Sequence, residues 1–205
     1  MKNNKLIIFG AGGHGKVIAD LASLMGYKEI NFYDDSYPQR TYLSRWPILG
    51  TCQSLLDNPL PNADYVVAIG HNITRLKIFN SLKLLGVNQP ILIHPFTSIS
   101  QYSSIGEGTV ICAGVCISAD TSIGNACILN TGCTVDHDCI LSDGVHISPG
   151  ANVAGGVSIG ECTWIGIGAA IRQSIEISSH AIVGAGATVI RHVDIGQMVL
   201  GTPAK

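Results

Sequence analysis

One histidine of this 205-residue chain has a carboxylate on each side, because His137 stands between Asp136 and Asp138. An imidazole has an ordinary pKa of about 6.5, so its neutral form can accept a proton near neutral pH. A carboxylate next to it can hold the tautomer that accepts. A general base is therefore one interpretation of His137, and a solvated surface corner is the other. The residues alone leave both open.

A glycine motif in the first part of the chain could bind a phosphate. Gly10, Gly12 and Gly15 form G-x-G-x-x-G between a predicted strand, Lys5–Phe9, and a predicted helix, Lys16–Met25. Glycines let the backbone approach a phosphate at the positive end of a helix. A glycine turn without a ligand is the alternative. The helix should bury one face, formed by Val17, Ile18, Leu21 and Leu24.

Two further predicted strands end in polar or glycine residues at the same edge. The strand Ile30–Tyr33 ends at Asp34 and Asp35, and the strand Asp64–Ile69 runs into Gly70. The alternation of strands and helices predicts a small parallel α/β domain, in which ribose or sugar hydroxyls would meet this edge. The domain has too few elements for a complete dinucleotide fold. A nucleotide sugar, which is shorter than NAD, fits better.

The second part of the chain carries a strict six-residue repeat. An aliphatic residue stands at every sixth position from Ile93 to Ile195, and a small or aliphatic residue follows each one four positions later. Neither a plain strand nor a helix has this period. A hexapeptide β-helix does, with three hexads in a triangular coil of eighteen residues and about six coils. A proline at Gln89-Pro90 marks the junction, which predicts domains at 1–90 and 91–205.

The six-residue repeat predicts where the other histidines of this region lie on the β-helix. His146 comes nine residues after His137, which is half a coil and therefore another side of the same prism. A site that uses both histidines must then be built from two subunits, so we expect a homotrimer with clefts between neighbouring prisms. His94, His180 and His192 have no adjacent acid and are predicted to be solvated corners.

Composition excludes several classes of function. The net charge is −2, 13% of the residues are charged, and there is no basic run, so no nucleic-acid partner is expected. The sequence predicts no signal peptide and no membrane span. We therefore expect a cytoplasmic location. Cys127, Cys133 and Cys139 fall in inward slots and should be reduced core residues, with no metal site.

Several of these segments together resemble one family. The chain is similar over essentially its whole length to the sugar acyltransferases of the sialic acid O-acetyltransferase family, which include N-acetyltransferases of UDP-4-amino sugars in bacillosamine synthesis and of GDP-perosamine. The resemblance implies a Rossmann-like α/β domain followed by an all-β left-handed parallel β-helix. It is carried by 10–15, Asp34-Asp35, Ala68-Ile-Gly70, Asn130-Thr131, 135–139, His146 and the segment 201–205.

The resemblance also implies roles for individual residues. His137 would be the catalytic base and Asp138 its orienting acid, although aspartate is one methylene shorter than the glutamate that also occurs there. Acetyl-CoA, as the acetyl donor, would contact His146, Gly155, Ile167 and Ala185, the last at a position that can be glycine. The nucleotide-sugar contacts would be Gly12, Gly13, His14, Asp34, Asp35 and Gly70.

The function implied is acetyl-CoA-dependent N-acetylation of a nucleotide-linked amino sugar for bacterial surface glycan synthesis, by direct transfer with His137 as general base. O-acetylation of sialic acid or a related sugar is the alternative. A binding protein or an NAD oxidoreductase is a third class. A cysteine acyl-enzyme is the rival mechanism, but Cys133 and Cys139, although near His137, are predicted to point inward.

Overall fold

The computed structural model describes residues 3–205, and the chain divides into two compact units between Leu92 and Ile93. The elements of the first unit are β1 (Lys5–Phe9), α1 (Gly13–Leu24), β2 (Glu29–Tyr33), β3 (Tyr42–Leu43), β4 (Trp46–Gly50), α2 (Cys52–Asp57), β5 (Asp64–Val67) and α3 (Asn72–Leu84). Its five strands form one sheet with the order β3-β4-β2-β1-β5, in which all pairs are parallel except β3 with β4.

Helix α1 begins earlier than predicted and buries a different face. It starts at Gly13, inside the glycine motif. Ile18 and Leu21 are buried as predicted, but Val17 and Leu24 are 43% and 56% exposed. Two buried alanines lie on the inner side, where small side chains let the helix approach the sheet closely. No helix in residues 3–205 has the length and apolar character needed to cross a membrane.

Three elements of the first unit have no clear sequence signal. Strand β3 has two residues, β4 contains Pro47, and α2 has six residues. A proline within an apolar run normally argues against a strand. Here Ile48 pairs with Phe32 of β2, which adds β4 to the sheet beside the predicted strands.

The second unit is a parallel β-helix of two-residue strands. Successive coils pair in register eighteen positions apart, as Ile117 with Val135 and Val135 with Val153. The strands form three sheets, of seven, six and five strands, so each coil is triangular. The inward aliphatic residues form one continuous core. The strands are β6 (Leu92–Ile93), β7 (Ser98–Ile99), β8 (Ser104–Ile105), β9 (Val110–Ile111), β10 (Cys116–Ile117), β11 (Ser122–Ile123), β12 (Ile128–Leu129), β13 (Thr134–Val135), β14 (Ile140–Leu141), β15 (His146–Ile147), β16 (Asn152–Val153), β17 (Ser158–Ile159), β18 (Trp164–Ile165), β19 (Ala170–Ile171), β20 (Glu176–Ile177), β21 (Ile182–Val183), β22 (Thr188–Val189) and β23 (Met198–Val199).

The six-residue rule ends before Ile195, where the prediction is wrong. Ile195 is 72% exposed, while Val193 and Val199 are buried. Val193 pairs with Ile177 and Val199 with Val183, so partners lie sixteen positions apart in this coil. The coil is two residues shorter than the others, and the aliphatic residue at the sixth position after Val189 therefore falls outside the core.

Candidate active site

His137 lies in the corner between β13 and β14, where the six-stranded sheet turns into the five-stranded one. Its Nδ1 is 2.7 Å from Oδ2 of Asp138. A carboxylate oxygen accepts, so Nδ1 carries the proton and Nε2 presents a lone pair. The two side chains are 61% and 65% exposed, which leaves Nε2 accessible to a substrate. This is the arrangement required of a general base.

The backbone conformation of Asp138 is what brings its carboxylate onto the preceding ring. Its φ is 59°, in the left-handed region. The same corner position recurs every six residues and is often glycine, as at Gly132, Gly144 and Gly150, which have positive φ as well. A residue with a side chain costs about 1–2 kcal/mol in this conformation, although aspartate tolerates it better than most. An acid therefore replaces the glycine directly beside His137.

Two carboxylates act on the imidazole of His137. The hydrogen bond from Nδ1 to Asp138 is the main factor that raises the pKa of His137, and the charge of Asp136 adds to it. Asp136 is itself held in place, because its Oδ1 accepts the backbone N–H of His137 at 2.9 Å. That hydrogen bond is the main reason why the pKa of Asp136 is lowered. Both acids therefore stabilise a proton once the ring has accepted it.

Gly155 lies one coil beyond His137 in the same column of corners. A Cβ added at Gly155 would come within 2.6 Å of both Nε2 and Cε1 of His137. Real Cβ atoms are not found at such distances, so the absence of a side chain at Gly155 creates the space that the imidazole occupies. The sequence predicts that Gly155 contacts the cofactor, and the structure places it against the predicted base.

His146 occupies a different side of the prism. It points outward from β15 in the seven-stranded sheet, whereas His137 lies at the corner opposite that sheet in a triangular coil. Nδ2 of Asn130 is 3.3 Å from Nε2 of His146, and the ring of Trp164 stacks on the imidazole with centroids 6.2 Å apart and planes inclined by 12°.

The two remaining predicted cofactor contacts lie near His146 in the topology. Ile167 and Ala185 follow β18 and β21, in successive coils at the corner where the seven-stranded sheet turns into the six-stranded one. Within one protomer, the predicted residues of the β-helix therefore form two groups. One group contains His137, Asp138 and Gly155, and the other contains His146, Ile167 and Ala185.

The glycine loop of the first unit leaves the beginning of α1 open. Gly12 is the N-cap residue and has no side-chain cap. A Cβ added at Gly12 or Gly13 would meet nothing within 4 Å, whereas one at Gly15 would lie 2.7 Å from the carbonyl oxygen of Gly10 and 2.9 Å from Phe32. Gly15 thus permits close packing of helix and strand. Gly12 and Gly13 expose backbone N–H groups at a positive helix end, where an anion can bind.

Both predicted acids after β2 bind backbone amides. Oδ2 of Asp34 accepts the N–H of Ala11 at 2.7 Å, and its Oδ1 accepts that of Ser36 at 2.9 Å. Partial burial acts to raise the pKa of Asp34, but these hydrogen bonds outweigh it and lower the pKa. Oδ1 of Asp35 accepts the N–H of Cys52 at 3.0 Å. Asp34 therefore anchors the glycine loop, and Asp35 holds the beginning of α2.

His14 is kept neutral by its surroundings. Burial, together with the charge of Arg75, lowers the pKa of His14 to about 4. Its Nε2 is buried and has no hydrogen-bond partner among residues 3–205. Arg75 is itself buried and donates to the carbonyl oxygens of Ile69 and Gly70, each at 3.1 Å. Arg75 thus interacts with two predicted contacts, because its charge acts on His14 and its guanidinium donates to Gly70.

Three residues near these groups were not predicted as site residues from the sequence. Arg40 donates from Nη1 to the carbonyl oxygen of Ala11 at 3.0 Å, which places a guanidinium at the glycine loop. Neither Arg40 nor the buried Arg75 belongs to a recognisable motif. Trp164 did have a signal, because it stands eighteen residues after His146 and one coil is eighteen residues long.

The inward cysteines lie in surroundings that disfavour a nucleophile. Cys127, Cys133 and Cys139 are fully buried, and none of them forms a disulfide. Burial raises the pKa of Cys133 to about 12 and also raises that of Cys139. The reactive form of cysteine is the thiolate, which these surroundings disfavour. They are core residues, as predicted.

A glycine-loop α/β unit joined to a β-helix that carries a His–Asp corner defines a class, the hexapeptide-repeat sugar acyltransferases. A family model, the PglD N-terminal domain, matches residues 5–82. The chain is 42% identical to the acetyltransferase domain of PglB from Neisseria gonorrhoeae, with a TM-score of 0.95 over 99% of each chain. The same domain has been solved in complex with acetyl coenzyme A.

Two further relatives carry the same likeness. PerB from Caulobacter crescentus, solved with CoA and GDP-perosamine, is 34% identical with a TM-score of 0.92 over 98% of this chain and 96% of that one. A Bacillus subtilis UDP-N-acetylbacillosamine N-acetyltransferase is 38% identical over 116 residues, which are 55% of this chain and 52% of the relative. The chain thus matches about half the length of this curated relative.

The chain belongs to the bacillosamine-type N-acetyltransferases of the hexapeptide-repeat family. The predicted fold, a Rossmann-like domain followed by a left-handed parallel β-helix, is confirmed by the likeness to the PglB domain and to PerB.

Proposed function

We propose that this protein transfers the acetyl group of acetyl-CoA to the amino group of a nucleotide-linked amino sugar, of the UDP-4-amino-4,6-dideoxy type. The observation that carries the proposal is the exposed imidazole of His137, whose Nδ1 is bound to Asp138 at 2.7 Å, in a chain that matches an acetyl-CoA-bound domain over nearly its whole length. PerB, whose structure holds both CoA and GDP-perosamine, supports an amine acceptor on a nucleotide sugar.

His137 performs the proton transfer in this proposal. The sugar amine attacks the thioester carbonyl, a C–N bond forms, and Nε2 of His137 accepts the proton that the nitrogen loses. When the tetrahedral intermediate collapses, the C–S bond breaks and the proton passes from the imidazolium to the sulfur of CoA. Asp138 accepts the hydrogen bond from Nδ1 throughout, which holds the tautomer of the neutral ring and stabilises the imidazolium. A backbone N–H or His146 donates to the oxyanion. The raised pKa of the buried Cys133 supports direct transfer over an acyl-cysteine.

The first unit is the proposed binding domain for the nucleotide sugar. Gly12 and Gly13 offer open backbone at the start of α1, which suits a diphosphate. The guanidinium of Arg40, bound to the same loop, would add positive charge. In this proposal Asp34 acts mainly by holding the loop, and neutral His14 lies beside it. In this proposal residues 1–90 form the domain that binds the nucleotide sugar, and residues 91–205 form the acetyltransferase domain.

The proposed assembly is a homotrimer in the cytoplasm. The corner of His137 lies opposite the sheet of His146, so one prism does not bring both to one substrate. A neighbouring prism can supply the second group, and acetyl-CoA would then lie in a cleft between prisms, in contact with His146, Ile167 and Ala185. Light scattering tests this assembly, and a fully active monomer would contradict it.

A substrate panel tests the proposed reaction. The protein is incubated with acetyl-CoA and one of three acceptors: a UDP-4-amino-4,6-dideoxy sugar, GDP-perosamine or free sialic acid. Mass spectrometry identifies the product and the acetylated atom. An N-acetylated nucleotide sugar is the expected product. Acetylation of sialic acid alone would support O-acetylation instead. Thermal shifts with UDP-, GDP- and CMP-sugars, with and without CoA, identify the nucleotide.

A further inference from the structure

Trp164 is a large aromatic side chain on the outer surface of the β-helix. It is the register partner of His146 in the next coil, and both residues point outward from the seven-stranded sheet. Ile165, the following residue, fills the inward slot and is fully buried, whereas Trp164 is 46% exposed. Packing in the core therefore does not explain why an indole stands at this position. Its ring stacks on the imidazole of His146, with the ring centroids 6.2 Å apart.

The indole is fixed in place by a buried hydroxyl. Nε1 of Trp164 donates to Oγ of Ser148 at 2.8 Å. Ser148 is 2% exposed, and its backbone N–H is bound to the carbonyl oxygen of Ile165. Because Ser148 is held by the coil itself, the hydrogen bond sets both the position and the tilt of the indole.

The opposite side of the imidazole is fixed as well. Oδ1 of Asn130 accepts the backbone N–H of Thr131 at 2.8 Å, which turns the amide so that Nδ2 faces Nε2 of His146 at 3.3 Å. An amide nitrogen only donates, so Nε2 accepts and the neutral ring carries its proton on Nδ1. Asn130 thus determines the tautomer, and Trp164 contributes to the plane in which the ring lies.

We infer that Trp164 is a positioning residue that holds the imidazole of His146 in the orientation needed at the acetyl end of CoA. This inference rests on the proposed function. The imidazole lies nearly parallel to the indole, and the indole is anchored by its hydrogen bond to Ser148. A group at a reacting centre that moves by about 1 Å can lower the rate about 10²-fold.

Substitution of Trp164 separates positioning from structure. We expect Trp164→Leu to lower kcat about tenfold to a hundredfold, because the imidazole loses its stacking partner. Trp164→Phe keeps an aromatic face and should restore most of that loss. Ser148→Ala frees the indole and should cost about fivefold, the effect of one lost hydrogen bond. Calorimetric titration with CoA should give dissociation constants within threefold of wild type. The control is Trp46→Leu, at the other tryptophan of the chain.

A double-mutant cycle gives the decisive result. If Trp164 acts through His146, then Trp164→Leu has no further effect on kcat in a His146→Ala background. Additive losses in the double variant would overturn the inference, as would a Trp164→Phe variant as impaired as Trp164→Leu. If Trp164→Leu does not fold, Ser148→Ala, with its expected fivefold loss, replaces it in the same cycle. Wild-type protein that acetylates no amino sugar would instead refute the proposed function itself.

Discussion

The two units contain histidines with opposite electrostatic surroundings. His137 is exposed, and a hydrogen bond from its ring to Asp138 raises its pKa. His14 is half-buried near Arg75 with its Nε2 fully buried, and its pKa is lowered to about 4. The first can gain and release a proton near neutral pH, whereas the second stays neutral throughout that range. The comparison teaches that carboxylates suit a histidine to proton transfer, while burial makes it a fixed neutral hydrogen-bonding group.

The strongest test of the comparison removes the proposed base. We expect His137→Ala to lower kcat by about 10²–10⁴, the usual effect of losing a positioned general base, with little change in the dissociation constants of both substrates. The measurements are steady-state kinetics and calorimetry on the purified protein. His180→Ala, at an exposed corner histidine, is the control. A raised KM with unchanged kcat would instead make His137 a binding residue.

The second test concerns the pH dependence of stability that His14 should cause. The unfolded chain binds this proton below pH 6.5, but the folded chain does so only near pH 4. Stability contributed by neutral His14 is therefore complete above pH 6.5 and is lost as the pH falls to about 4, by about 3 kcal/mol.

His14→Gln should reduce this loss, as measured by urea unfolding at pH 7.5 and pH 4.5. His180→Asn, in an exposed side chain, should leave the slope as in wild type. An identical slope for His14→Gln and wild type would show that His14 is solvated in the folded protein.

The third test asks whether the glycine loop binds the nucleotide sugar. A valine side chain at Gly13 enters space that no protein atom occupies, so the fold should tolerate it. We expect Gly13→Val to weaken nucleotide-sugar binding at least about tenfold by crowding the backbone, and to leave CoA affinity nearly unchanged. Asp35→Asn should act in the same direction more mildly.

Calorimetry with each ligand measures both effects. Asp20→Val, at an exposed position on the same helix, controls for the added side chain. Equal loss of both ligands would indicate misfolding, and no loss of either would exclude the loop from the site.

The smallest expected effect comes from Asp138. Asp138→Asn removes the main interaction that raises the pKa of His137. Since the base is active when neutral, the acid limb of the wild-type pH–rate profile should lie above pH 6.5. It should move down towards 6.5 in the variant, and kcat at the plateau should fall less than tenfold.

The chain offers a matched control for this variant. Asp120 has the same left-handed conformation at the same corner, one coil earlier, but follows Ala119 rather than a histidine. Asp120→Asn should therefore not shift the profile. An unshifted profile for Asp138→Asn would show that Asp138 does not interact with the ring in solution.

The sequence predicts the β-helix far better than the α/β unit, for a physical reason. In the β-helix one rule governs every coil, so each buried aliphatic residue such as Ile117 or Val135 supports the same register. The rule fails only at Ile195, where a coil loses two residues. In the α/β unit each element is specified once, by few residues. Strand β4 with its Pro47 pairs through contacts with β2 that no local pattern shows.

The part of the candidate site that lies in the β-helix was predictable from the sequence, whereas the part in the α/β unit was less so. The flanking acids distinguish His137 in the sequence, and the eighteen-residue coil is enough to place Gly155 beside His137 and Trp164 beside His146. The surroundings of His14 were not predictable. They depend on the burial of Arg75, a residue of α3 whose side chain donates to the carbonyl groups of Ile69 and Gly70 before that helix rather than pointing into solvent.

The left-handed corner at Asp138 has a consequence for protein engineering. A search for stabilising substitutions would replace non-glycine residues of positive φ by glycine, and it would select Asp138 together with Asp120, Ser174 and His180. The change at Asp138 should indeed relieve about 1 kcal/mol of conformational cost. It would also remove the carboxylate that orients the ring of His137. A more heat-resistant protein would then be a poorer catalyst, so thermostability selection at the corners of this prism should spare that one position.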